Sequence, residues 1–163
     1  MQVEKGRIAY RPAIIDDISA LVDCRVQFLN EHFQHPEDED SAAVRKSLRE
    51  YFLRTIPSGE FVAWVAEYDG RIIVTSGMVV WDKPAKYGGV ESGKLGYLLN
   101  SYTVPEARRR GIGTRLLDEL INEARSLWLK YLHLHATKDG INMYRRAGFT
   151  ELEYPELELR LGS

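Results

Sequence analysis

The sequence has little of several features that mark particular classes of protein. It contains one cysteine, Cys24, in 163 residues, so neither an internal disulfide nor a cysteine-based zinc site can form. It has no apolar run long enough to cross a bilayer and no signal-like start, so we expect a cytoplasmic protein with no membrane partner. The net charge of -2 lacks the excess of Lys and Arg that a general nucleic-acid binder needs, so no nucleic-acid partner is expected.

The first half of the chain predicts two helices followed by two strands. The composition, 44% hydrophobic and 28% charged, is typical of a globular protein, and we expect residues 1–163 to form a single domain. Apolar residues at helical spacing predict helices over 18–29 and 44–52. Residues 61–68 and 72–81 are rich in β-branched and aromatic residues, and Asp69-Gly70 between them predicts a hairpin.

The second half alternates strands with helices. Residues 95–104 have strand character, and the segment after Gly111 is strongly amphipathic at helical spacing. Beyond it the patterns predict a strand over 131–136, a short helix over 140–146 and a last strand over 149–161. The whole order predicts an α/β (α+β) fold, with a mixed, mostly antiparallel sheet and helices on both faces.

The most informative stretch lies between a predicted strand end and a helix start. Three arginines, 108–110, precede Gly111 and Gly113 there. The first N–H groups of a helix lack internal partners and carry the positive end of the helix dipole, and glycine lets ligand oxygens approach the backbone. A solvated basic turn would have the same local pattern. Leu116 excludes a dinucleotide fingerprint, and Leu95 excludes a nucleotide-triphosphate loop, because each replaces a residue that the motif requires.

Two motifs resemble those of the GNAT superfamily of N-acetyltransferases. The family signature R/Q-x-x-G-x-G/A is matched by Arg108-Arg109-Arg110-Gly111-Ile112-Gly113, and Tyr144-Arg145-Arg146-Ala147-Gly148-Phe149 is similar to the second cofactor motif. The resemblance implies a GNAT-type acyl-CoA N-acyltransferase fold. It also implies an acetyl-CoA-dependent N-acetyltransferase that uses acetyl-CoA as co-substrate and no metal. The acetyl group would pass directly, in a ternary complex, to the amine of a small molecule or peptide.

The resemblance also implies roles for individual residues. Tyr144 would be the general acid that protonates the departing thiolate, and a backbone N–H near Val104 would support the oxyanion. A bulge in the strand that carries Val104 would open a cleft for the thioester. Backbone amides of residues 109–114 would hold the pyrophosphate. The residues expected to contact the cofactor are Tyr102, Thr103, Val104, Arg108, Arg109, Arg110, Gly111, Ile112, Gly113, Thr114, Arg115 and Asn142.

The general base stays open, because GNAT members use a Glu, a water chain or no dedicated base. Strand alternation predicts that Asn100 shares a face with Tyr102 and Val104, where its amide would orient a water or the substrate. An amide cannot itself serve as a base. Three carboxylates in nearby segments are weak candidates and are expected to be solvated: Glu60, Glu67 and Glu91.

The acceptor and the assembly also stay open. Phe28, Phe33 and Trp81 are predicted to shape the acceptor pocket. His133 and His135 alternate along one strand, and we expect packing or hydrogen bonding for both rather than a metal site. A non-catalytic acyl-CoA-binding or regulatory module is the alternative function. The resemblance leaves a homodimer open, since many relatives are dimers.

Overall fold

The computed structural model describes residues 5–33, 39–84 and 93–161. Short 3-10 turns precede the first strand, precede the first long helix and follow the fourth strand. The strands are β1 (Ile8–Pro12), β2 (Phe61–Tyr68), β3 (Arg71–Asp82), β4 (Lys94–Thr103) and β5 (Leu132–His133). The helices are α1 (Ile18–Phe33), α2 (Glu39–Ser58), α3 (Ile112–Ser126) and α4 (Ile141–Arg146).

The strands form one five-stranded sheet in the order β1-β2-β3-β4-β5. The first three pairings are antiparallel, and β4 pairs with β5 in parallel. The predicted hairpin between β2 and β3 is confirmed. Its two turn residues, Asp69 and Gly70, have φ values of 50° and 75°, as a two-residue turn between twisted strands requires.

Helices cover both faces of the sheet. Side chains of α1 and α2 pack with Phe61 and Val65 on one face. On the other face, α3 and Tyr144 of α4 pack against Met78 and Leu98. Leu116, Leu117 and Leu120 of α3 are at most 1% exposed, which confirms the amphipathic pattern read from the sequence. The predicted α/β fold with a mixed, mostly antiparallel sheet is therefore confirmed.

A β-bulge interrupts β4 near its end. Thr75 of β3 lies opposite Tyr102, whereas Gly77 lies opposite Leu99, so β4 has one extra residue within 100–101. Asn100 has a φ of 58°, the left-handed conformation found in some bulges. The expected bulge is thus present. The prediction that Asn100 and Tyr102 share a face is wrong, because the extra residue breaks the alternation between them.

Two predicted strands differ from the structure. The segment 131–136 forms only the two-residue strand β5, and residues 149–161 form no strand. Leu157, Leu159 and Leu161 are 80–91% exposed. Their alternation with polar residues fits a half-buried strand, but a strand also needs a neighbour along its backbone. Periodicity within one segment does not reveal whether that neighbour exists.

Candidate functional site

A gap opens between β4 and β5. Their parallel pairing comprises only Gly96 with Leu132 and Tyr97 with His133. From residue 98 to residue 103, the outer edge of β4 has no strand neighbour in the part of the chain that the structure describes. The bulge lies within this stretch. An open strand edge offers a row of N–H and C=O groups to an extended ligand.

The loop after this edge forms a concave backbone surface at the start of α3. Arg109 and Gly111 have φ values of 59° and 78°, and Gly111 is the N-cap residue of α3. Left-handed residues in such a loop turn successive N–H groups toward a common point, where an anion can bind. A Cβ at Gly111 would meet nothing within 4 Å, so the surface is open at this residue.

Gly113 allows α3 to begin close to the end of β4. A Cβ built on Gly113 would lie 3.3 Å from Oγ1 of Thr103 and 3.9 Å from the sulfur of Met143. These distances leave little room for a side chain. The start of α3, the end of β4 and α4 therefore come close together at Gly113. We call the concave surface formed by residues 108–114 the cradle.

Arg108 is held at the rim of this cradle by two groups. Its Nε donates to the carbonyl of Thr103 at 2.9 Å, and its terminal nitrogen contacts both carboxylate oxygens of Glu31 at 2.9 and 2.8 Å. Its guanidinium also lies 5.4 Å from the centroid of the Tyr102 ring. Glu31 was not predicted as a site residue, because it lies 77 residues from Arg108 and no local sequence pattern sets it apart.

Glu31 also binds the side chain of Tyr102. The Tyr102 hydroxyl donates to Glu31 at 2.6 Å. Burial alone would raise the pKa of Glu31, but the hydrogen bonds from Tyr102 and Arg108 outweigh it and lower that pKa. Burial and the adjacent carboxylate raise the pKa of Tyr102 to about 12. The Tyr102 side chain is therefore bound to a residue of α1.

The remaining residues predicted to contact the cofactor differ in their exposure and in the direction of their side chains. Arg109 is exposed, whereas Arg110 and Thr114 are half-buried. Arg115 points away, since it pairs with Glu119 at 2.5 Å and lies over the ring of Tyr10. Asn142 is exposed on α4. Ile112 is buried in the core at 2% exposure, so only its backbone can reach a ligand.

Tyr144 lies against the bulge. Its side chain is buried on the α3 face of the sheet, 9% exposed. Burial raises the pKa of Tyr144, and a hydrogen bond with the Ser101 side chain partly offsets that effect. The Ser101 hydroxyl lies 2.7 Å from the Ser76 hydroxyl. These three hydroxyl groups form a chain from β3 across β4 to α4. Only Tyr144 was predicted from the sequence, because the two serines come together through the register of β3 and β4 at the bulge.

The backbone near Val104 limits which N–H could support an oxyanion. The N–H of Val104 donates to the carbonyl of Ile73 at 3.0 Å, so it is not free to support an oxyanion. The side chain of Asn100 is 3% exposed, and neither its Nδ2 nor its Oδ1 has a hydrogen-bond partner in the described part of the chain. A buried amide without partners is rare in folded proteins and points to a bound ligand or water.

The three residues predicted to shape the acceptor pocket fall into two groups. Phe28 and Phe33 of α1 both contact the ring of His32, and Phe33 is 59% exposed. Trp81 lies apart from them on β3 and stacks on Tyr97 at 5.4 Å. Tyr97 was not identified from the sequence, although it stands in the strand that carries the bulge.

Four other side chains with reactive groups, one cysteine and three carboxylates, are buried, paired or outside the described residues. Burial raises the pKa of the Cys24 thiol to about 11, which makes it a poor nucleophile at neutral pH. Glu60 pairs with Arg54, and Glu67 pairs with Arg11. Glu91 lies outside the described residues.

The described residues form neither a membrane-spanning helix nor a metal-binding cluster. No helix there is both long and apolar enough to cross a membrane. No group of three or more His, Cys, Asp and Glu side chains could hold a metal ion in residues 5–33, 39–84 and 93–161. Two cavities, of about 470 and 280 Å³, are lined by neither Tyr144 nor the cradle glycines.

The site combines a parallel strand pair that separates, a bulge and a helix that begins at glycines. This combination is typical of acyltransferases that use acyl-coenzyme A. The sequence matches the family described as "Acetyltransferase (GNAT) domain" over residues 59–151, more than half of the chain. This protein belongs to the GNAT acetyltransferase family, whose members use acetyl-CoA.

Solved structures agree with this assignment. A predicted acetyltransferase from Clostridium acetobutylicum, crystallised with acetyl-CoA, is 34% identical with a TM-score of 0.83, covering 94% of this chain and 96% of its own. A GCN5-related N-acetyltransferase from Ralstonia eutropha is 27% identical with a TM-score of 0.79, covering 93% and 98%. Glucosamine-6-phosphate N-acetyltransferase from Arabidopsis thaliana, 15% identical over 93% and 97% with a TM-score of 0.70, shares the fold. No curated protein matches the chain.

Proposed function

We propose that this protein transfers the acetyl group of acetyl-CoA directly to the amine of a small molecule or peptide. The observation that carries the proposal is the gap beside β4, which has an anion cradle at one end and, farther along the strand, the bulge with the buried Tyr144 against it. A thioester with a diphosphate-bearing arm has its charged part and its reactive part separated in the same way. The Clostridium relative crystallised with acetyl-CoA supports this donor.

The cofactor arm would lie along the open edge of β4. Backbone groups on the open side of β4 would pair with the pantetheine amides, and amides of residues 109–114 would bind the pyrophosphate at the positive end of α3. Thr103, Val104, Arg108 and Asn142 would lie along the arm, whereas Arg115, which pairs with Glu119, would not contact it. The open space over Gly111 and the close contact of Gly113 with Thr103 support this arrangement.

Tyr144 would protonate the thiolate of coenzyme A as it leaves. Its phenol is protonated at neutral pH and can donate, and burial, which raises its pKa, makes it a weaker acid than free tyrosine. Asn100 would bind the thioester carbonyl or an ordered water, which would satisfy its buried amide. Trp81 of β3 would contact the acceptor, as would Phe28 and Phe33 of α1.

The test begins with calorimetric titration of the protein with acetyl-CoA, followed by release of free thiol over a panel of amines. We expect binding together with amine-dependent thiol release. Tyr144→Phe should bind acetyl-CoA like the wild type and turn over about 100-fold more slowly, since only the proton donor is lost. Tyr154→Phe, at a residue that is 76% exposed, is the matched control.

Three outcomes separate the alternatives. Binding with amine-dependent release supports the transferase. Binding without release for any amine favours an acyl-CoA-binding or regulatory module. Failure to bind acetyl-CoA contradicts the proposal as a whole.

A further inference from the structure

A row of aromatic rings crosses the sheet at the closed end of the gap. Trp81 stacks on Tyr97 with an interplanar angle of 16°, and the Tyr97 ring lies edge-on to His135 at 5.7 Å. His133 pairs with Tyr97 in the β4-β5 register. Because paired residues share a face, Tyr97 and the histidines lie on the face that α1 and α2 cover. Tyr144 packs on the opposite face.

The row ends in a hydrogen-bonded triad. The Tyr97 hydroxyl bonds with Nδ1 of His135, and Nε2 of His135 contacts the Glu156 carboxylate at 3.0 Å. If the phenol O–H donates to Nδ1, the imidazole proton lies on Nε2 and donates to Glu156. The titratable groups that face His135 among the described residues are Tyr97, from β4, and Glu156, from the C-terminal segment.

The position of the triad suits a proton acceptor. Tyr97 is the last residue of β4 that pairs with β5, so its side chain stands where the two strands part. An amine that enters from the α1 and α2 face meets this side chain before it reaches the gap, while the thiolate would leave toward Tyr144 on the other face. The triad, which removes a proton, and Tyr144, which supplies one, would then lie on opposite sides of the reacting atoms.

We propose that Tyr97, His135 and Glu156 form the proton acceptor that deprotonates the acceptor amine, a role that rests on the proposed acetyl transfer. The ammonium of the acceptor gives a proton to the Tyr97 oxygen while the Tyr97 proton moves to Nδ1 of His135. The imidazolium formed is paired with the Glu156 carboxylate and later releases its proton to water. The neutral amine attacks the thioester carbonyl. The second proton, lost from nitrogen when the C–S bond breaks, restores the one that Tyr144 gives to the thiolate.

Hydrogen bonding also sets the role of Glu156. The His135 and Glu156 side chains are 71% and 59% exposed, so their pairing contributes little to stability. Its effect is to fix one tautomer of the imidazole and to stabilise the imidazolium, as a carboxylate does for a catalytic histidine elsewhere. Glu156 is therefore a positioning residue, and Tyr97 is the group that touches the amine.

The test compares two amines in the full-length protein. One is an alkylamine that is protonated at about pH 7, and the other is a hydrazine or arylamine that is neutral there. Tyr97→Phe and His135→Gln should lower kcat/KM for the alkylamine by about 10- to 100-fold and change it little for the neutral amine. The loss should disappear at high pH, where the alkylamine is itself neutral. Glu156→Gln should show the same selectivity with a smaller loss.

His133→Gln is the matched control, since His133 lies on the same face two residues earlier and contacts the Tyr131 ring. We expect it to treat both amines as the wild type does. Equal losses for the two amines in Tyr97→Phe and His135→Gln would overturn the proton-acceptor role and leave the acetyl transfer intact. A wild-type protein that binds no acetyl-CoA, or transfers to no amine, would overturn both proposals together.

Discussion

The guanidinium of Arg108 and the carboxylate of Glu31 join the rim of the cradle to the last turns of α1. The two contacts measure 2.9 and 2.8 Å, and the Tyr102 hydroxyl binds the same carboxylate. One negative charge is thus held next to a surface that we propose binds a diphosphate. This pairing places Arg108 and lowers the positive potential of the cradle at the same time.

Glu31→Gln should therefore bind acetyl-CoA about 2- to 5-fold more tightly at low ionic strength, because the opposing charge is removed. The gain should shrink at about 0.15 M salt, where exposed charges are screened. Calorimetric titration at the two salt concentrations measures it. Glu60→Gln, which removes a carboxylate paired with Arg54 away from the cradle, is the control. Weaker binding by Glu31→Gln would mean that its positioning of Arg108 outweighs its charge.

Gly111→Ala should weaken acetyl-CoA binding by about 10-fold or more. Gly111 has a φ of 78°, and a Cβ there costs roughly 1–2 kcal/mol in a left-handed conformation. The loop relieves that strain by moving the N–H groups that we propose bind the pyrophosphate. Calorimetric titration gives the affinity, and thermal unfolding gives the stability.

Gly59→Ala is the matched control for this variant. Gly59 has a φ of 74° and open space around its Cβ position, but it lies between α2 and β2. It should lose similar stability and keep its affinity. Equal affinity losses in the two variants would show that strain in general, and not the cradle, weakens binding.

Ser101→Ala should lower kcat by about 5- to 10-fold without changing the affinity for acetyl-CoA. One hydrogen bond is worth about 1 kcal/mol, and here it orients the hydroxyl of Tyr144. In a Tyr144→Phe background the same change should have little further effect, because no hydroxyl remains to be oriented.

Steady-state kinetics of the two single variants and the double variant measure this coupling. Ser126→Ala, which removes a hydroxyl that donates to Glu123 at the end of α3, should change nothing. If the fold losses in kcat of the two single variants multiply in the double variant, Ser101 acts independently of Tyr144.

Asp17→Asn should destabilise the protein by about 1–3 kcal/mol at neutral pH. Asp17 receives two bonds from Arg11, at 2.6 and 2.9 Å, and one from the N–H of Ile14. Burial alone would raise the pKa of Asp17, but these bonds outweigh it and lower the pKa. A depressed folded pKa contributes stability above the unfolded value of about 3.9, and that stability is lost as pH falls through the folded pKa.

Urea unfolding at about pH 7 and about pH 3 tests this prediction. The difference between the wild type and Asp17→Asn should be largest at the higher pH and should shrink at the lower one. Asp16→Asn, next to it and exposed, is the control and should unfold like the wild type at both. A difference that grows on acidification would contradict the assigned direction of the pKa shift.

The parts of the molecule that the sequence predicted are those encoded within one segment. Helix α3 follows from the spacing of its own apolar residues, and the β2-β3 turn follows from Asp69-Gly70. The loop of α3 was identified because its glycines and arginines are adjacent in sequence. Each of these features depends on interactions between residues only a few positions apart.

The parts that the sequence did not predict depend on distant residues. The bulge, which was expected only from the family resemblance, is a difference in register between β3 and β4, so it cannot be read from β4 alone. The contact of Arg108 with Glu31 spans 77 residues, and that of Tyr97 with His135 spans 38. The strand expected over 149–161 failed for the same reason, because an alternating segment becomes a strand only beside a partner.

Because of the bulge, the number of residues in β4 affects the candidate active site. Deleting Asn100 would restore an unbroken strand register with Ser101 opposite Ser76, and it would remove the left-handed backbone and the buried amide at the bulge. Insertions and deletions are usually tolerated in surface loops and excluded from strands because they disturb packing. Here a deletion that left the core well packed would still remove the bulge and the buried amide of Asn100, so the length of this strand is constrained independently of the stability of the fold.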